Sequence, residues 1–516
     1  MVWVGSSLRG HFGFPLDDSW IHQTIGRNFA WYHSVGFVPH QNSAGSTSLL
    51  WTVIVSLNYA FVPKLAPVLF SAGMNGLCLA GIGLMLLHLA LRDGMRPAVA
   101  IFWAAAPAAD GNFVWLAFIG MEHLVFVFLS IASVVFWLET GPVHPRRSLA
   151  MATLAGLCLG LLCMTRPEGI VLPILLFLFL KLTSRTRRET GIAAVVTFAL
   201  AAVPFAVNRI TSGSLLPGTF SGRRWLYLAG NSPGIFFRKL LLQQWITRPI
   251  RTVLVFDGSS SGTMAKISVL TIVFCILSLC AIGLYSLASR RRIATVVICI
   301  WGVVHSLLYF VILPASGHGG RYQTFLLLLL VPLTGLGLYR SLRFISVPQS
   351  ASYAIAVLLL VVFAFRSLTL WHTVLADGID HINTSHGAMA EWLIANHVTA
   401  PIAVFDIGRI GYLRGGPMVD LGGLTDSGYI ASLYGDRVPQ YLRDRSIGLV
   451  VLPEDDQQSV IGNWLNLVGN PDVALQLVHE ACTAEPVWSV GWIETRHAAR
   501  CQGLFRIQIA NAAVHE

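Results

Sequence analysis

Residues 322–339 read YQTFLLLLLVPLTGLGLY, an apolar run without a charged side chain. As a helix, a run of this length comes close to crossing the ~30 Å hydrocarbon core of a bilayer. Arg340 and Arg343 follow the run directly, and a glycine-rich turn that carries Arg321 precedes it. The sequence therefore predicts a transmembrane helix with a basic group at one end and a polar turn at the other.

The same pattern recurs along most of the chain. The predicted spans are 66–91, 97–113, 114–138, 148–165, 169–183, 190–208, 266–288, 293–314, 322–339 and 352–370. Composition agrees, because 55% of the 516 residues are hydrophobic and only 12% are charged, about half the charged fraction of a soluble protein. The predicted fold class is a polytopic α-helical membrane protein with about ten spans, in which residues 66–376 form the transmembrane domain.

Charge is divided unevenly between the two parts of the chain. Residues 1–376 carry 27 Lys and Arg against 9 Asp and Glu, whereas residues 377–516 carry 8 against 16. A basic excess spread along an apolar chain is typical of membrane-flanking charge, and an acidic tail is unfavourable for binding DNA or RNA. We expect the lipid bilayer as a partner and no nucleic acid.

Basic clusters follow alternate predicted spans. They are Arg92 and Arg96, Arg146 and Arg147, Lys181 with Arg185, Arg187 and Arg188, Arg290 to Arg292, and Arg340 with Arg343. An even number of crossings places all of them on one face, which the positive-inside rule makes cytoplasmic. Loops 1–65 and 209–265 and the tail from 377 would then lie on the external, or periplasmic, face of the cell (inner) membrane.

Residues 1–65 are predicted to form an external loop that contains an interfacial helix. The apolar run from Ser46 to Val62 ends at Pro63 and Lys64 and is short for a span, which favours a helix lying in the membrane interface. No spanning helix precedes this run in the sequence, which raises the expectation that one lies upstream.

The external loop 209–265 combines seven Lys and Arg with a single acid, Asp257. Aromatic and aliphatic residues alternate with the basic ones around Trp245. This pattern favours an interfacial helix that binds anionic lipid headgroups.

The tail, residues 377–516, is predicted to form an external α/β domain. Helical patterns at 389–397 and 438–443 alternate with apolar strand patterns at 402–405, 418–421 and 447–452. Cys482 and Cys501 could form a disulfide in an oxidising compartment, although two free thiols fit the sequence equally well. The other six cysteines lie in apolar stretches without metal-ligand spacing, so they predict no metal site.

An adjacent acidic pair, Asp17 and Asp18, stands in the first external loop of a region poor in acids. Catalysis is one explanation, and capping of an amphipathic helix by an aspartate is the other. If a helix starts at Asp18, His22 lies one turn further and shares its face, while Asp17 points elsewhere. The two carboxylates would then have separate roles.

Further polar groups fall at the outer ends of the predicted spans or in the external loops. The candidates for substrate binding are His22, Glu122, Arg166, Arg223, Arg224, Arg321 and Tyr322. Ionisable groups at a membrane boundary are costly to keep there and tend to be functional. The alternatives are a structural ion pair of Arg166 with Glu122 or Glu168, and a plain turn in which Arg321 reaches the interface.

Seven motifs occur in an order that resembles bacterial membrane glycosyltransferases of the GT-C superfamily. They are LDDSWIH at 16–22, GSTS at 45–48, GME at 120–122, TRPEG at 165–169, LPGTF at 216–220, GRY at 320–322, and DIG at 406–408 with DL at 420–421. The chain is most similar to the branch with arabinofuranosyl- and mannosyltransferase-like enzymes. This resemblance implies a polyprenyl-phosphate sugar donor, an external active site and an aspartate base in the first outer loop, and it favours Asp17.

The chain also departs from this family pattern. The family's first spanning helix is absent here, and Leu49 stands where a proline is usual. Gly218 replaces a common asparagine, and His123 replaces a usual threonine. These changes weaken assignment to a particular subfamily.

The leading function is an inverting hexosyl- or pentosyltransferase that moves a sugar from a polyprenyl-phosphate donor to a hydroxyl of an external glycan, lipid or protein acceptor. Asp17 or Asp18 would accept the proton, and Arg321 with Arg223 or Arg224 would stabilise the leaving phosphate. The two carboxylates could also hold a divalent cation such as Mg²⁺ or Mn²⁺. The alternative is a transporter or flippase of a lipid-linked sugar, which would place ionisable groups near the bilayer midplane.

Overall fold

The protein folds as a bundle of apolar helices followed by a small domain built on a mixed β-sheet. The computed structural model describes residues 12–43, 45–140, 145–179, 187–215, 217–228, 245, 249, 263–290, 292–312, 317–426, 428–455, 458–484 and 499–510. The predicted interfacial helix near Trp245 lies outside this range except for Trp245 itself. Asp257 and the basic residues Lys181, Arg185 and Arg291 also lie outside it.

The helices are named here in chain order. They are α1 (Asp17–Tyr32), α2 (Leu49–Phe61), α3 (Pro67–Arg92), α4 (Pro97–Ala109), α5 (Gly111–Trp115), α6 (His123–Leu138), α7 (Pro145–Thr165), α8 (Val171–Phe179), α9 (Arg187–Ser212), α10 (Gly218–Leu228), α11 (Thr263–Ala288), α12 (Ile293–Ile312), α13 (Thr324–Phe344), α14 (Gln349–His381), α15 (Ala388–Ala395), α16 (Ile407–Arg414), α17 (Ile430–Tyr434), α18 (Val438–Asp444) and α19 (Val460–Trp464). Two 3₁₀ segments, Pro167–Ile170 and His318–Gln323, precede α8 and α13, and a π-helical turn, Ile382–Gly387, joins α14 to α15.

Each of the ten predicted spans coincides with an apolar helix, which confirms the predicted fold class. Seven segments of the described chain are long and apolar enough to cross a membrane: Pro67–Arg92, Pro145–Thr165, Arg187–Ser212, Thr271–Ala288, Ile293–Ile312, His318–Phe344 and Gln349–Ala395. The other three predicted spans fall on the shorter helices α4, α6 and α8. The second predicted span, 97–113, ends earlier than predicted. Asp110 ends α4, and its carboxylate accepts the Asn112 backbone N–H at 2.9 Å.

Arg92 and Arg147, from two of the predicted cytoplasmic basic clusters, meet at one end of the bundle. Glu139, at the end of α6, pairs with Arg92 at 3.2 Å and with Arg147 at 3.3 Å. Asp93 accepts the backbone N–H of Thr295, near the start of α12, at 2.8 Å. Chain turns far apart in sequence therefore meet at this end, as the alternation of basic clusters predicts.

The region before the first predicted span forms a helix pair, α1 and α2. Its close contact depends on Gly26, where an added Cβ would lie 2.7 Å from the Val55 side chain. Ser48 caps α2 by accepting the Trp51 backbone N–H at 3.2 Å. The interfacial helix predicted between Ser46 and Val62 is thus α2, a helix of 13 residues that packs on α1.

The C-terminal domain contains a five-stranded sheet in the order β2–β1–β3–β5–β4. The strands are β1 (Ile402–Val404), β2 (Met418–Asp420), β3 (Leu449–Glu454), β4 (Val473–Cys482) and β5 (Cys501–Ile509). β1 pairs in parallel with β2 and β3, whereas β5 is antiparallel to β3 and β4. The first three strands confirm the predicted α/β domain. A disulfide between Cys482 and Cys501 joins β4 to β5.

The C-terminal domain docks on the helix that carries the acidic pair. Helix α16 lies against α1, and a Cβ at Gly408 would stand 2.0 Å from the Asp17 backbone oxygen. The Arg409 guanidinium lies 4.0 Å from the centre of the Trp20 ring, within cation–π range. Glycine at 408 therefore allows α16 to approach the start of α1 closely enough to share its polar groups.

Candidate functional site

Asp17 and Asp18 are the first two residues of α1, and their side chains leave the helix in different directions. Successive residues of an α-helix are rotated by about 100°, so neighbouring carboxylates reach different surroundings. Asp18 faces the ends of the membrane helices, whereas Asp17 faces the C-terminal domain. The expected separation of the two carboxylates is therefore present.

The Asp18 carboxylate joins two arginines from distant parts of the chain. Its Oδ2 atom lies 2.7 Å from Nη2 of Arg223, on α10, and also accepts a hydrogen bond from Nη2 of Arg321. The Arg321 side chain is 1% exposed and that of Asp18 is 21% exposed. This pairing holds two guanidiniums, one of them fully buried, at the end of the helix bundle.

Tyr322 stands at the centre of three guanidiniums. The central carbons of Arg166, Arg223 and Arg321 lie 5.5, 5.9 and 5.4 Å from its ring centre. Its hydroxyl accepts a hydrogen bond from Arg223 Nη1, and its ring stacks on Tyr309 with the ring centres 4.8 Å apart. Residues from α10 and from the segments that follow α7 and precede α13 thus form one cationic group, called here the arginine cluster.

Two glutamates hold Arg166 in this cluster. Its Nη1 atom lies 2.6 Å from Glu122 Oε1, and its Nε atom lies 2.6 Å from Glu168 Oε1. His22, one turn after Asp18 on α1, reaches the other Glu122 oxygen at 3.5 Å. Arg166 therefore forms the structural ion pairs that the sequence suggested, and these pairs also hold it within the arginine cluster.

A glycine-rich turn brings Arg321 into place. Gly317, Gly319 and Gly320 have positive φ values of 69°, 62° and 70°, a backbone region that favours glycine. A Cβ at Gly319 would lie 2.2 Å from the Trp115 ring, and the Gly319 carbonyl accepts a 2.7 Å hydrogen bond from Asn112. The turn is therefore tightly packed and fixes the backbone next to Arg321, whose side chain is buried rather than extended to the interface.

Asp17 contacts the N-terminus of α16. Its Oδ2 accepts the Gly408 backbone N–H at 2.6 Å, and its Oδ1 accepts that of Arg409 at 2.7 Å. Asp406 and His386 lie nearby, with His386 Nε2 placed 3.6 Å from Asp406 Oδ2. These residues form a second polar group, called here the Asp17 group, on the side of α1 that faces the C-terminal domain.

The two environments separate the acidities of the neighbours. Burial raises the pKa of Asp17 to about 6; His386 opposes the rise, Asp406 adds to it, and the two backbone N–H groups oppose it. Burial alone would also raise the pKa of Asp18, but the Arg223 and Arg321 guanidiniums outweigh burial and hold that pKa well below its usual value. Such a split between adjacent acids is typical of sites where they perform different tasks.

Most of the predicted site residues meet at the arginine cluster. They are Asp18, His22, Glu122, Arg166, Arg223, Arg321 and Tyr322. Two predicted residues lie outside it. Asp17 belongs to the Asp17 group, and Arg224 is exposed on α10 near Tyr434 of the C-terminal domain. For Arg224 the reason is helical geometry, because Arg223 points inward and the next residue is turned about 100° away.

Tyr309 and His386 were not among the predicted site residues. Tyr309 lies inside the apolar helix α12, where a tyrosine gives little signal except that His305 stands one turn earlier. His386 lies in the π-helical turn after α14, and no sequence pattern predicted that turn.

The described residues contain one compact group with metal-ligand atoms, Glu480 with Cys482 and Cys501. Both cysteines are consumed by the disulfide, which removes them as thiolate ligands. The fit of a divalent cation to Asp17 and Asp18 is poor, because their carboxylates are committed to different partners on two sides of α1.

An apolar α-helical bundle with buried cations at one end and a domain docked over it matches a known membrane fold. Two crystal structures of ArnT from Cupriavidus metallidurans, one bound to undecaprenyl phosphate and one in the apo state, each align with a TM-score of 0.53. They are 14% and 13% identical, cover 99% and 96% of this chain, and are themselves covered to 97% and 94%. The chain therefore has the GT-C fold, as its motifs predicted.

The mycobacterial arabinofuranosyltransferase AftD aligns more loosely, with a TM-score of 0.45 at 15% identity over 99% of this chain and 40% of that one. A family model described as a domain of unknown function (DUF8728) matches residues 377–494. A comparison with curated protein sequences found no match.

Proposed function

We propose that the protein is a membrane glycosyltransferase that moves a sugar from a polyprenyl-phosphate donor to an acceptor hydroxyl. The observation that carries this proposal is the convergence of Arg166, Arg223 and Arg321 on Tyr322 at the end of a membrane helix bundle. Three guanidiniums can surround a phosphate with charge-assisted hydrogen bonds. The likeness to ArnT, whose structure was determined with undecaprenyl phosphate, supports a lipid-linked donor.

The donor phosphate would bind at the arginine cluster. Arg321 and Arg223 now share the Asp18 oxygen, and an incoming phosphate would compete for the same N–H groups. As the bond between sugar and phosphate breaks, negative charge grows on the phosphate, and preorganised cations stabilise it most effectively in a site that excludes water. Asp18 would therefore orient the cations and balance their charge while the site is empty.

A small groove of mixed polar and apolar lining adjoins this cluster and could take the first part of the prenyl chain. It lies between α7, α9 and the loop before α2, and Pro167, the neighbour of Arg166, forms part of its wall. Its lining combines apolar residues such as Pro204 and Phe205 with polar ones such as Ser46 and Asn208. A prenyl chain leaving the phosphate along this groove would bury its surface against protein and lipid.

Asp17 is the base in this proposal. A base should be largely ionised at the working pH yet hold a proton well, which makes a pKa of about 6 suitable. Asp17 also lies on the side of α1 away from the arginine cluster, as inversion requires of a group that meets the acceptor opposite the leaving phosphate. The acceptor oxygen would bond to the sugar carbon, its proton would pass to Asp17, and the bond to the phosphate would break with its electron pair staying on the phosphate.

A transporter of a lipid-linked sugar is the second candidate. Such a protein should carry ionisable groups near the bilayer midplane. In the described part of the chain, Asp18, Glu122, Arg166 and Arg321 contact one another or share partners at one end of the helices. That distribution favours chemistry at a boundary over passage through the bundle.

Transfer itself can be tested with the purified full chain in lipid nanodiscs. It would be incubated with a panel of radiolabelled polyprenyl-phosphate pentoses and hexoses, and with glycan, lipid and peptide acceptors. We expect label to move from donor to one acceptor class with release of polyprenyl phosphate. Movement of intact donor across proteoliposome membranes without transfer would instead favour the transporter.

We also propose that the arginine cluster faces the outside of the cell membrane, because Arg92 and Arg147 of the predicted basic clusters meet at the other end of the bundle. Ala431, on α17, is exposed, so an Ala431→Cys variant should react with a membrane-impermeant thiol reagent in intact cells. The unsubstituted chain, with six free cysteines in its apolar helices, is the control. Protection of the introduced thiol until lysis would contradict the orientation.

A further inference from the structure

Asp406 stands where an aspartate usually caps a helix, yet it does not cap α16. It directly precedes Ile407, and its side chain makes no hydrogen bond to the first turn. Asp17 supplies those bonds instead, to the backbone N–H groups of Gly408 and Arg409. Aspartate at this position normally makes such a bond itself. The Asp17 carboxylate therefore caps α16 in place of Asp406, which leaves the Asp406 carboxylate available for another contact.

The side chains around Asp406 orient it through one oxygen. Gln502 Nε2 donates to Asp406 Oδ2 at 2.9 Å, and His386 Nε2 lies 3.6 Å from the same oxygen. Among the described residues, the Oδ1 atom accepts no hydrogen bond. The Asp406 side chain is 29% exposed. One oxygen is thus fixed by the protein, and the other is available to a ligand.

Two buried groups beside Asp406 support the presence of a ligand. Gln502 is 1% exposed, and within the described part of the chain its Oε1 atom has no hydrogen-bond partner. His381 is 6% exposed, its ring lies 5.2 Å from that of His386, and its Nδ1 atom likewise has no partner among the described residues. Leaving buried polar atoms unpaired is costly. These two unpaired atoms therefore point to a bound molecule that would form hydrogen bonds with them.

The position of this group fixes which substrate it would meet. Asp17 and Asp18 are adjacent, with Cα atoms about 3.8 Å apart, and they separate the Asp17 group from the arginine cluster. A donor with its phosphate on the arginines would present its sugar near the start of α1. A molecule bound at Asp406 would then approach that sugar from the side of Asp17.

We propose that Asp406, His386 and Gln502 form an acceptor subsite that binds hydroxyl groups of a carbohydrate; this rests on the proposed glycosyltransferase function. The Oδ1 atom of Asp406 would accept a hydrogen bond from one sugar hydroxyl. The amide of Gln502 offers a second acceptor to a neighbouring hydroxyl. Because the Gln502 amide donates to one carboxylate oxygen and His386 lies beside that same oxygen, the other oxygen suits a hydrogen-bond donor such as a hydroxyl.

The test uses the full chain in nanodiscs and two separate binding measurements. Saturation-transfer NMR would measure binding of gluco-, manno- and arabino-oligosaccharides, and native mass spectrometry would measure binding of undecaprenyl phosphate. We expect the wild type to bind at least one oligosaccharide series. Asp406→Asn should weaken that binding about tenfold or more, since a hydrogen bond to a charged group is lost, with binding of undecaprenyl phosphate unchanged.

Two further variants make the result specific. Gln502→Met keeps the side-chain length but removes the amide oxygen and nitrogen, so it should weaken the same oligosaccharide binding. Asp444→Asn changes an exposed aspartate of the same domain and should have no effect. Absence of oligosaccharide binding by the wild type, or equal binding by Asp406→Asn, would overturn the subsite. Equal loss of lipid-phosphate binding would assign Asp406 a structural role and overturn it too. Oligosaccharide binding that depends on Asp406 in a protein without transfer activity would contradict only the proposed function.

Discussion

Asp17 and Asp18 have the same side chain and adjacent positions, but the molecule places them in two different regions. Asp18 meets Arg223 and Arg321 from the membrane bundle. Asp17 meets backbone N–H groups of the C-terminal domain. Cations stabilise the ionised form of Asp18 strongly, whereas burial near Asp406 raises the pKa of Asp17 to about 6. Under the proposed function, these different surroundings suit Asp17 rather than Asp18 to act as the base.

In the proposed mechanism, the two parts of the chain have separate tasks. The membrane bundle supplies the cations, and the C-terminal domain supplies the groups that surround Asp17. Helix α1 lies between them and presents one carboxylate to each. A change in either region should therefore affect a different half of the reaction.

The largest effect is expected for Asp17→Asn. The amide keeps the size of the side chain but cannot take the acceptor proton, so turnover should fall by roughly 10²-fold or more. Donor affinity should stay nearly unchanged, because Asp17 does not contact the arginine cluster. Single-turnover transfer and donor binding would be measured on the same preparation, and near-normal turnover would rule out Asp17 as the base.

Arg321→Ala should act on the other half of the reaction. A fully buried guanidinium would no longer meet the phosphate, which should weaken donor binding by roughly 10- to 100-fold. Arg224→Ala is the matched control, since that arginine is exposed and outside the cluster. Isothermal titration with the polyprenyl-phosphate sugar would measure both variants. Equal affinities of Arg321→Ala and Arg224→Ala would place the phosphate elsewhere.

Asp18→Asn should have a smaller effect than either. The amide oxygen can still accept a hydrogen bond from the two arginines, but one compensating charge is lost, so turnover should fall by less than about tenfold. Measuring it beside Asp17→Asn gives the ratio that the comparison predicts. A loss as large as that of Asp17→Asn would mean that the two neighbours share one task.

Part of this account could be predicted from the sequence, because it depends on local patterns. Apolar runs ending in basic clusters gave the helices, and the one-turn spacing of Asp18 and His22 predicted their common face. The arginine cluster was foreseen only as separate candidates, since nothing in the sequence states that Arg223 and Arg321 meet. The C-terminal hairpin of β4 and β5 was not predicted, because most residues of β4 are exposed and lack a continuous apolar face.

The contacts of Asp17 could not have been predicted at all. They join residue 17 to residues 408 and 409, and the close approach depends on a glycine whose surroundings are known only in the folded chain. Tyr309 escaped for a similar reason, because a tyrosine inside an apolar helix looks like packing until Arg166 and Tyr322 are seen around it. Long-range pairing of polar groups is where sequence patterns carry the least information.

The pH dependence of transfer tests the assignment of the base most directly. The quantity is kcat/KM for the acceptor between about pH 4.5 and 8 in the wild type, Asp17→Asn and Asp18→Asn. Because a base must be ionised and the pKa of Asp17 is about 6, the rate should fall about tenfold per pH unit below that value in the wild type and in Asp18→Asn. The residual rate of Asp17→Asn should lack this acidic limb. An acidic limb that persists in Asp17→Asn and disappears in Asp18→Asn would contradict the account.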